Sequence, residues 1–313
     1  MTSLSPRLWF LSLAVVGCAA GAAAKIDQTQ PRAPAPVAQP APPAPGAATP
    51  ALETRPPVGK NSVKFLVLGD TGTGDRAQYE VAAQAWKSHS VFPFEFAIML
   101  GDNMYGSERP QDFAKKFELP YKPMLDANIQ FYAALGNHDD PNQRYYKPFG
   151  MGGQRFYSYQ KPDVRFFVLD SNYMDKDQQA WLEKELAASN SKWKIAYFHH
   201  PLYSSGARHG SEIDLRTVVE PLFIKYGVNV VFAGHEHFYE RLQPQNGIAY
   251  FTAGGSAKLR EGDVLGGKLS AKGFDTEQSF MLVEIDGDVL RFQVLSRRGK
   301  LVDSGEVKKQ EKT

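Results

Sequence analysis

Six short runs of apolar residues along the middle of the chain each break off at a polar cluster. Val63–Leu68 stops at Gly69-Asp70, Phe94–Leu100 at Gly101-Asp102-Asn103, and Gln130–Leu135 at Gly136-Asn137-His138-Asp139. Arg165–Leu169 stops at Asp170-Ser171, Lys194–Phe198 at His199-His200, and Val228–Ala233 at Gly234-His235-Glu236-His237. Runs this short, rich in Val, Ile and Phe, predict buried strands. Between them, Arg76–Ser88, Asp177–Ala188 and Leu215–Tyr226 carry apolar residues three and four positions apart, which predicts helices. Asp175 and Asp177 are both placed to cap the second helix. Strands alternating with helices imply a largely parallel sheet, and in such sheets a ligand crevice opens beyond the carboxyl ends of the strands. Every polar cluster lies at one of those ends. In four of the six a glycine comes first, which lets the backbone turn sharply under a bound ion.

The pattern changes towards the carboxyl terminus. Ile248–Thr252, Phe280–Ile285 and Val289–Leu295 read as strands, and Asp286-Gly287 is a hairpin signal. The expected fold class is α/β with α+β character: two mixed β-sheets packed as a sandwich, with helices on both outer faces. Residues 61–308 form the expected catalytic domain, and 309–313 a polar tail. Ahead of the body, residues 1–20 have the layout of a secretion signal, with Arg7 before the apolar stretch Leu8–Ala20. That stretch is shorter than the roughly 20 residues of a membrane-spanning helix. Val15-Val16-Gly17-Cys18 is similar to a lipobox, which would acylate Cys18; cleavage among Ala20 to Ala24 would instead discard it. Ten of the twenty-one prolines fall between Pro31 and Pro57, so residues 21–60 read as a Pro/Ala-rich disordered linker, an extended spacer. The expectation is an exported protein, periplasmic or extracellular, touching a membrane only through a lipid anchor at Cys18.

Composition narrows the chemistry. A net charge of +2, from 36 basic and 34 acidic side chains, is too small for an electrostatic grip on nucleic acid, and no such partner is expected. A single cysteine excludes an internal disulfide and any multi-cysteine metal site. Of the seven histidines, only His89 lies outside the strand-end clusters and their loops. The other polar groups there are the carboxylates of Asp70 and Asp102, the amide of Asn137 and the phenol of Tyr105. Imidazole and oxygen donors without thiolate suit iron, manganese or zinc, and this many groups suit two ions better than one.

In this order, Gly69-Asp70-Thr71-Gly72, Gly101-Asp102-Asn103-Met104-Tyr105, Gly136-Asn137-His138-Asp139, His199 before Pro201, and Gly234-His235-Glu236-His237 resemble the five motifs of the calcineurin-like metallophosphoesterases. The first motif of that superfamily usually carries a histidine where this chain has Gly72; a tyrosine at Tyr105 in its place is the pattern of the purple acid phosphatases. The compact length is similar to that of the small, tartrate-resistant branch. The resemblance implies that Asp70, Tyr105 and His237 bind an Fe(III) ion and that Asp102 bridges. It implies that Asn137, His199 and His235 bind a divalent ion, iron, zinc or manganese. His138 and His209 take the positions that contact substrate phosphate and assist the leaving group, with Asn137 also facing substrate, while His200 stands either behind the ligands or at the rim. The implied activity is acid phosphatase: hydrolysis of phosphate monoesters by direct attack of metal-bound hydroxide, without a phosphoenzyme. A phosphodiesterase acting on nucleotide or lipid diesters is the alternative, and a non-catalytic phosphate- or metal-binding surface protein a third reading. Arg208, Arg241, Lys258 and Arg260 are candidate rim cations, and Met151–Arg155 a candidate rim loop. Gly254-Gly255-Ser256 lacks the strand–loop–helix setting of a nucleotide loop.

Overall fold

Strand β1 (Val63–Leu68) is buried along its whole length, so both of its faces must be covered. Val63, Phe65 and Val67 point to one side, Leu66 and Leu68 to the other. That alternation, repeated in the neighbouring strands, builds a four-layer molecule. The computed structural model describes residues 62–309. The signal at 1–20, Cys18, the linker at 21–60 and the tail beyond Lys309 lie outside the described residues.

After β1 come α1 (Arg76–His89), β2 (Phe96–Met99), α2 (Pro110–Phe113), α3 (Lys122–Asp126), β3 (Gln130–Ala133), β4 (Tyr157–Lys161), β5 (Val164–Val168) and α4 (Lys176–Ala188). There follow β6 (Trp193–Phe198), α5 (Ile213–Tyr226), β7 (Val230–Ala233), β8 (Tyr239–Leu242), β9 (Ala249–Ala253), β10 (Ser270–Phe274), β11 (Ser279–Asp286), β12 (Val289–Ser296) and β13 (Leu301–Lys308). One sheet has the order β13-β12-β11-β1-β2-β3, the other β10-β8-β9-β7-β6-β5-β4. Strands β1, β2 and β3 run parallel, as do β5, β6, β7 and β9; the remaining pairs are antiparallel. Both sheets are therefore mixed, as the alternation of runs predicts.

Aromatic rings fill the space between the sheets. Phe65 stacks on Phe96 at 5.3 Å and meets Phe166 and Phe232 of the opposite sheet edge-on, at 5.4 and 6.1 Å. Outside the first sheet, Val81 and Ala85 of α1 and Phe117 cover Leu66, Leu68 and Met99. Outside the second, Leu182 and Leu186 of α4 and Leu215, Val219 and Phe223 of α5 cover Phe167, Ala196 and Phe198. Asp175 is the residue that caps α4, accepting from Gln178 N. Gly287, at φ 58°, turns the β11–β12 hairpin.

The predicted strands and helices are all present, with ends shifted by a residue or two. Four strands and the helical stretch between β2 and β3 are additions. Three of the four, β4, β10 and β13, lie at sheet edges. These three keep one flank unpaired and carry polar residues such as Gln160, Lys272, Asp303 and Glu306, so no apolar run marks them.

Phe65→Ala is expected to lower the unfolding free energy by about 3–5 kcal/mol in a urea titration. A loss below about 1 kcal/mol would show that the rings close over the gap and that Phe65 is not their hub.

Candidate metal centre

Loops leaving β1, β2, β3, β6 and β7 carry the seven expected ligands together with His138, His200 and His209. Their backbones are unusual. Asp70, Asp102 and His235 sit in the left-handed region, at φ 55°, 51° and 69°. A residue with a Cβ avoids that region at a cost of roughly 1 kcal/mol or more. Neighbouring loops hold each one there. Asp70 N donates to Gly101 O at 3.1 Å, His235 N to Asp70 Oδ2 at 2.9 Å, and His138 N to Asp102 Oδ1 at 3.0 Å. A Cβ at position 136 would strike the nitrogen and Oδ1 of Asp102, so glycine is required where the loops after β2 and β3 meet.

Two groups of donor atoms result. In the first, the Tyr105 hydroxyl lies 3.0 Å from Asp70 Oδ1 and 3.1 Å from His237 Nε2, with His237 Nε2 3.3 Å from Asp70 Oδ1. In the second, His199 Nε2, His235 Nδ1 and Asn137 Oδ1 form a triangle with sides of 3.0, 3.0 and 3.1 Å. Asp102 touches both: it clusters with Asp70 and His237, and its Oδ1 lies 3.4 Å from His199 Nε2.

Protons are scarce in this arrangement. His199 Nδ1 is 2.9 Å from the carbonyl oxygen of Leu100, which can only accept, so Nδ1 carries the hydrogen and Nε2 presents a lone pair. That lone pair faces the oxygens of Asn137 and Asp102. Burial, followed by the neighbouring His200, holds His199 well below the ordinary imidazole value. Burial likewise depresses His235, with His199 the next cause, and pushes His237 down to about 3, with Arg260 next. A lowered imidazole value means a neutral, ligating ring well into acid. Burial, then the charge of Asp102, raises the Asp70 carboxyl, and burial, then Asp70 and Asp102, raises the Tyr105 phenol. Among the described residues, ion pairs to these two aspartates come only from His237 and His199, which are held neutral. Buried carboxylates beside converging lone pairs fit a cation in each group. The oxygens of Asp70 and Tyr105 suit a hard ion; the imidazoles and amide suit a divalent one.

The remaining predicted residues fall around this core. His138 and His209 are exposed, their rings 4.9 Å from Tyr105 and 4.3 Å from His235. Lys258 Nζ lies 4.5 Å from the Tyr105 ring, and Arg208 is exposed beside His209. Arg241 is not at the rim: it pairs with Asp303 at 2.8 Å, tying β8 to β13. Met151–Arg155, readable from the sequence as a flexible rim loop or as a turn before Phe156, is the turn: Gln154 N donates to Met151 O at 3.1 Å, Met151 is buried and Arg155 is bound to Asp170 at 2.6 Å. Gly254-Gly255-Ser256 underlies Asp70, with Ser256 Oγ accepting from Gly69 N at 3.1 Å. His200 brings a ring nitrogen close to those of His199 and His235, and its Nδ1 pairs with Ser171 Oγ at 2.9 Å. With Asn137, Asp170 and Tyr173 it lines a cleft of about 380 Å³.

Asp139 is a residue whose role the sequence left undefined. Its carboxylate accepts from Gly136 N, Met104 N, both Asn103 nitrogens and Gln143 Nε2. It thereby clamps the loop of Asp102 and Tyr105 to that of Asn137. The signal was present, in an aspartate one residue after His138, but an acidic loop residue is commonly a turn former.

Comparison with known proteins identifies the family. The family model described as calcineurin-like phosphoesterase matches residues 63–239, more than half of the chain. Tartrate-resistant acid phosphatase type 5 of Oryctolagus cuniculus is 25% identical over 236 residues, 62% of this chain and 72% of that protein. Fe(3+)-Zn(2+) purple acid phosphatase 12 of Arabidopsis thaliana is 39% identical over 117 residues, 34% of this chain and 25% of that protein. Among solved structures, purple acid phosphatase PPD1 from yellow lupin (Lupinus luteus) seeds shares the fold, with a TM-score of 0.66 at 20% identity, over 79% of this chain and 54% of that one.

Asp139→Ala removes the clamp without touching any donor atom of the two groups. Metal titration should return an affinity about 10–100-fold lower; an unchanged affinity would show that the loops hold their positions without it.

Proposed function

This chain belongs to the calcineurin-like phosphoesterase family, in its purple acid phosphatase branch, and is a metal-dependent phosphoric ester hydrolase; we propose that it is a dinuclear acid phosphatase acting on phosphate monoesters. In this reading Asp70, Tyr105 and His237 would hold Fe(III), Asn137, His199 and His235 would hold iron, zinc or manganese, and Asp102 would serve both groups. What supports it is the triangle of His199 Nε2, His235 Nδ1 and Asn137 Oδ1, three donor atoms within 3.1 Å of one another with Asp102 alongside. When bound, a pair of cations supplies positive charge against the dianionic phosphate and polarises water at the site.

The chain's own groups do the rest. His138 and Asn137 border the opening and orient the phosphate through their polar edges. His209, exposed on the side of His235, donates its ring proton to the departing oxygen, which would otherwise leave as a high-energy alkoxide. The left-handed loops hold the donor atoms in place before substrate arrives, so little reorganisation is required during reaction. Hydrolysis proceeds by direct transfer to water; no side chain is required as a nucleophile. Export and lipid anchoring at Cys18 belong to the same proposal, supported by the apolar stretch Leu8–Ala20 around that cysteine. A mature chain beginning after Cys18 would remove the anchor.

The iron-loaded protein should absorb visible light through the Tyr105 phenolate, and Tyr105→Phe should abolish that band; a retained band would remove Tyr105 from the ligand set. Rates on an aryl phosphate should exceed those on a bis-aryl phosphate by about tenfold or more, the ratio expected when one transition state is better stabilised by about 1.4 kcal/mol. The reverse order would make the protein a diesterase.

A further inference from the structure

His209 stands well along the β6–α5 loop, whose start at His199 and His200 is strapped to Leu100, Gly234 and Ser171. Further out, the loop leans on a buried carboxylate between two proposed ligands. Glu236 is fully buried, and its Oε1 accepts from Gly210 N, next to His209, at 2.7 Å. Its Oε2 faces Arg260 Nη1 at 3.5 Å. A Cβ at position 206 would collide with the Glu236 carboxylate, so Gly206 lets the loop settle onto it. A second strap lies close by: Ser205 N donates to Glu240 Oε2 at 2.9 Å and its hydroxyl to Glu240 Oε1 at 2.5 Å. Ala207 N closes the far side on Asp263 O at 2.9 Å. None of these bonds involves a donor atom of the two metal-facing groups.

We infer that Glu236 is a positioning residue for proton donation: through the Gly210 amide it fixes where the His209 ring stands relative to the ester oxygen that leaves. The inference rests on the proposed role of His209. Displacing a donor by about 1 Å is enough to weaken its participation severely. The effect must depend on the leaving group, because an alkoxide requires the proton and a nitrophenolate scarcely does.

The experiment uses the full-length, metal-loaded protein and two substrates, p-nitrophenyl phosphate and glycerol phosphate. Glu236→Ala should keep its metal content and lose about tenfold more rate on glycerol phosphate than on the aryl ester. Glu236→Gln retains an acceptor oxygen and should stay near the parent ratio. Glu236→Asp, shortened by one methylene, should show the selective loss and serves as the test variant if the alanine protein does not fold. In a His209→Ala background, the Glu236 substitution should add no further selective loss, since both act on the same step. Equal losses on the two esters, additive losses in the double variant, or metal loss accounting for the whole decline would each overturn the inference. If His209→Ala alone shows no dependence on the leaving group, the proton-donor role of His209 falls, and this inference with it.

Discussion

The centre gathers more lone pairs than hydrogens to share among them. Nε2 of His199 faces two oxygens while its other nitrogen is committed to Leu100 O, and one phenolic hydrogen serves both Asp70 and His237. Left alone, such a cluster opposes its own burial. The surrounding structure therefore has to impose it. The strand ends, the left-handed turns at Asp70, Asp102 and His235, and the space left by Gly136 all serve that imposition.

Rigidity behind the loops comes from the layers. Four of the five loops leave interior strands with covered faces, β1, β2, β6 and β7; the fifth leaves β3, at a sheet edge, and Asp139 ties it to the loop after β2. The ring cluster around Phe65 joins the two sheets, linking β1 and β2 with β5 and β7. Local strain is thereby balanced by packing spread across the sandwich, the usual condition for keeping unfavourable backbone angles at a functional site.

The same physics explains what the sequence disclosed. Interior strands such as Val63–Leu68 must be apolar on both faces, and so they are legible as runs; β4 and β13, open on one flank, mix Ser, Gln, Asp and Glu into their patterns and are not. The proposed ligands were legible because motif order confines them to strand ends. Supporting groups were not. Asp139, Glu236 and Glu240 are acidic residues whose roles appear only once remote backbone amides are brought to them, and no local spacing encodes that meeting. Arg241 shows the converse, an apparent rim cation whose partner, Asp303, lies far along the chain.

The outer part of the β6–α5 loop, around His209, hangs on Glu236 and Glu240, while the turns that bear the proposed ligands are tied to one another. Glu236 lies between His235 and His237, so the two sets of bonds meet in the loop after β7. A lineage that remodels the outer loop must therefore keep a carboxylate at that crossing or find the Gly210 amide another acceptor.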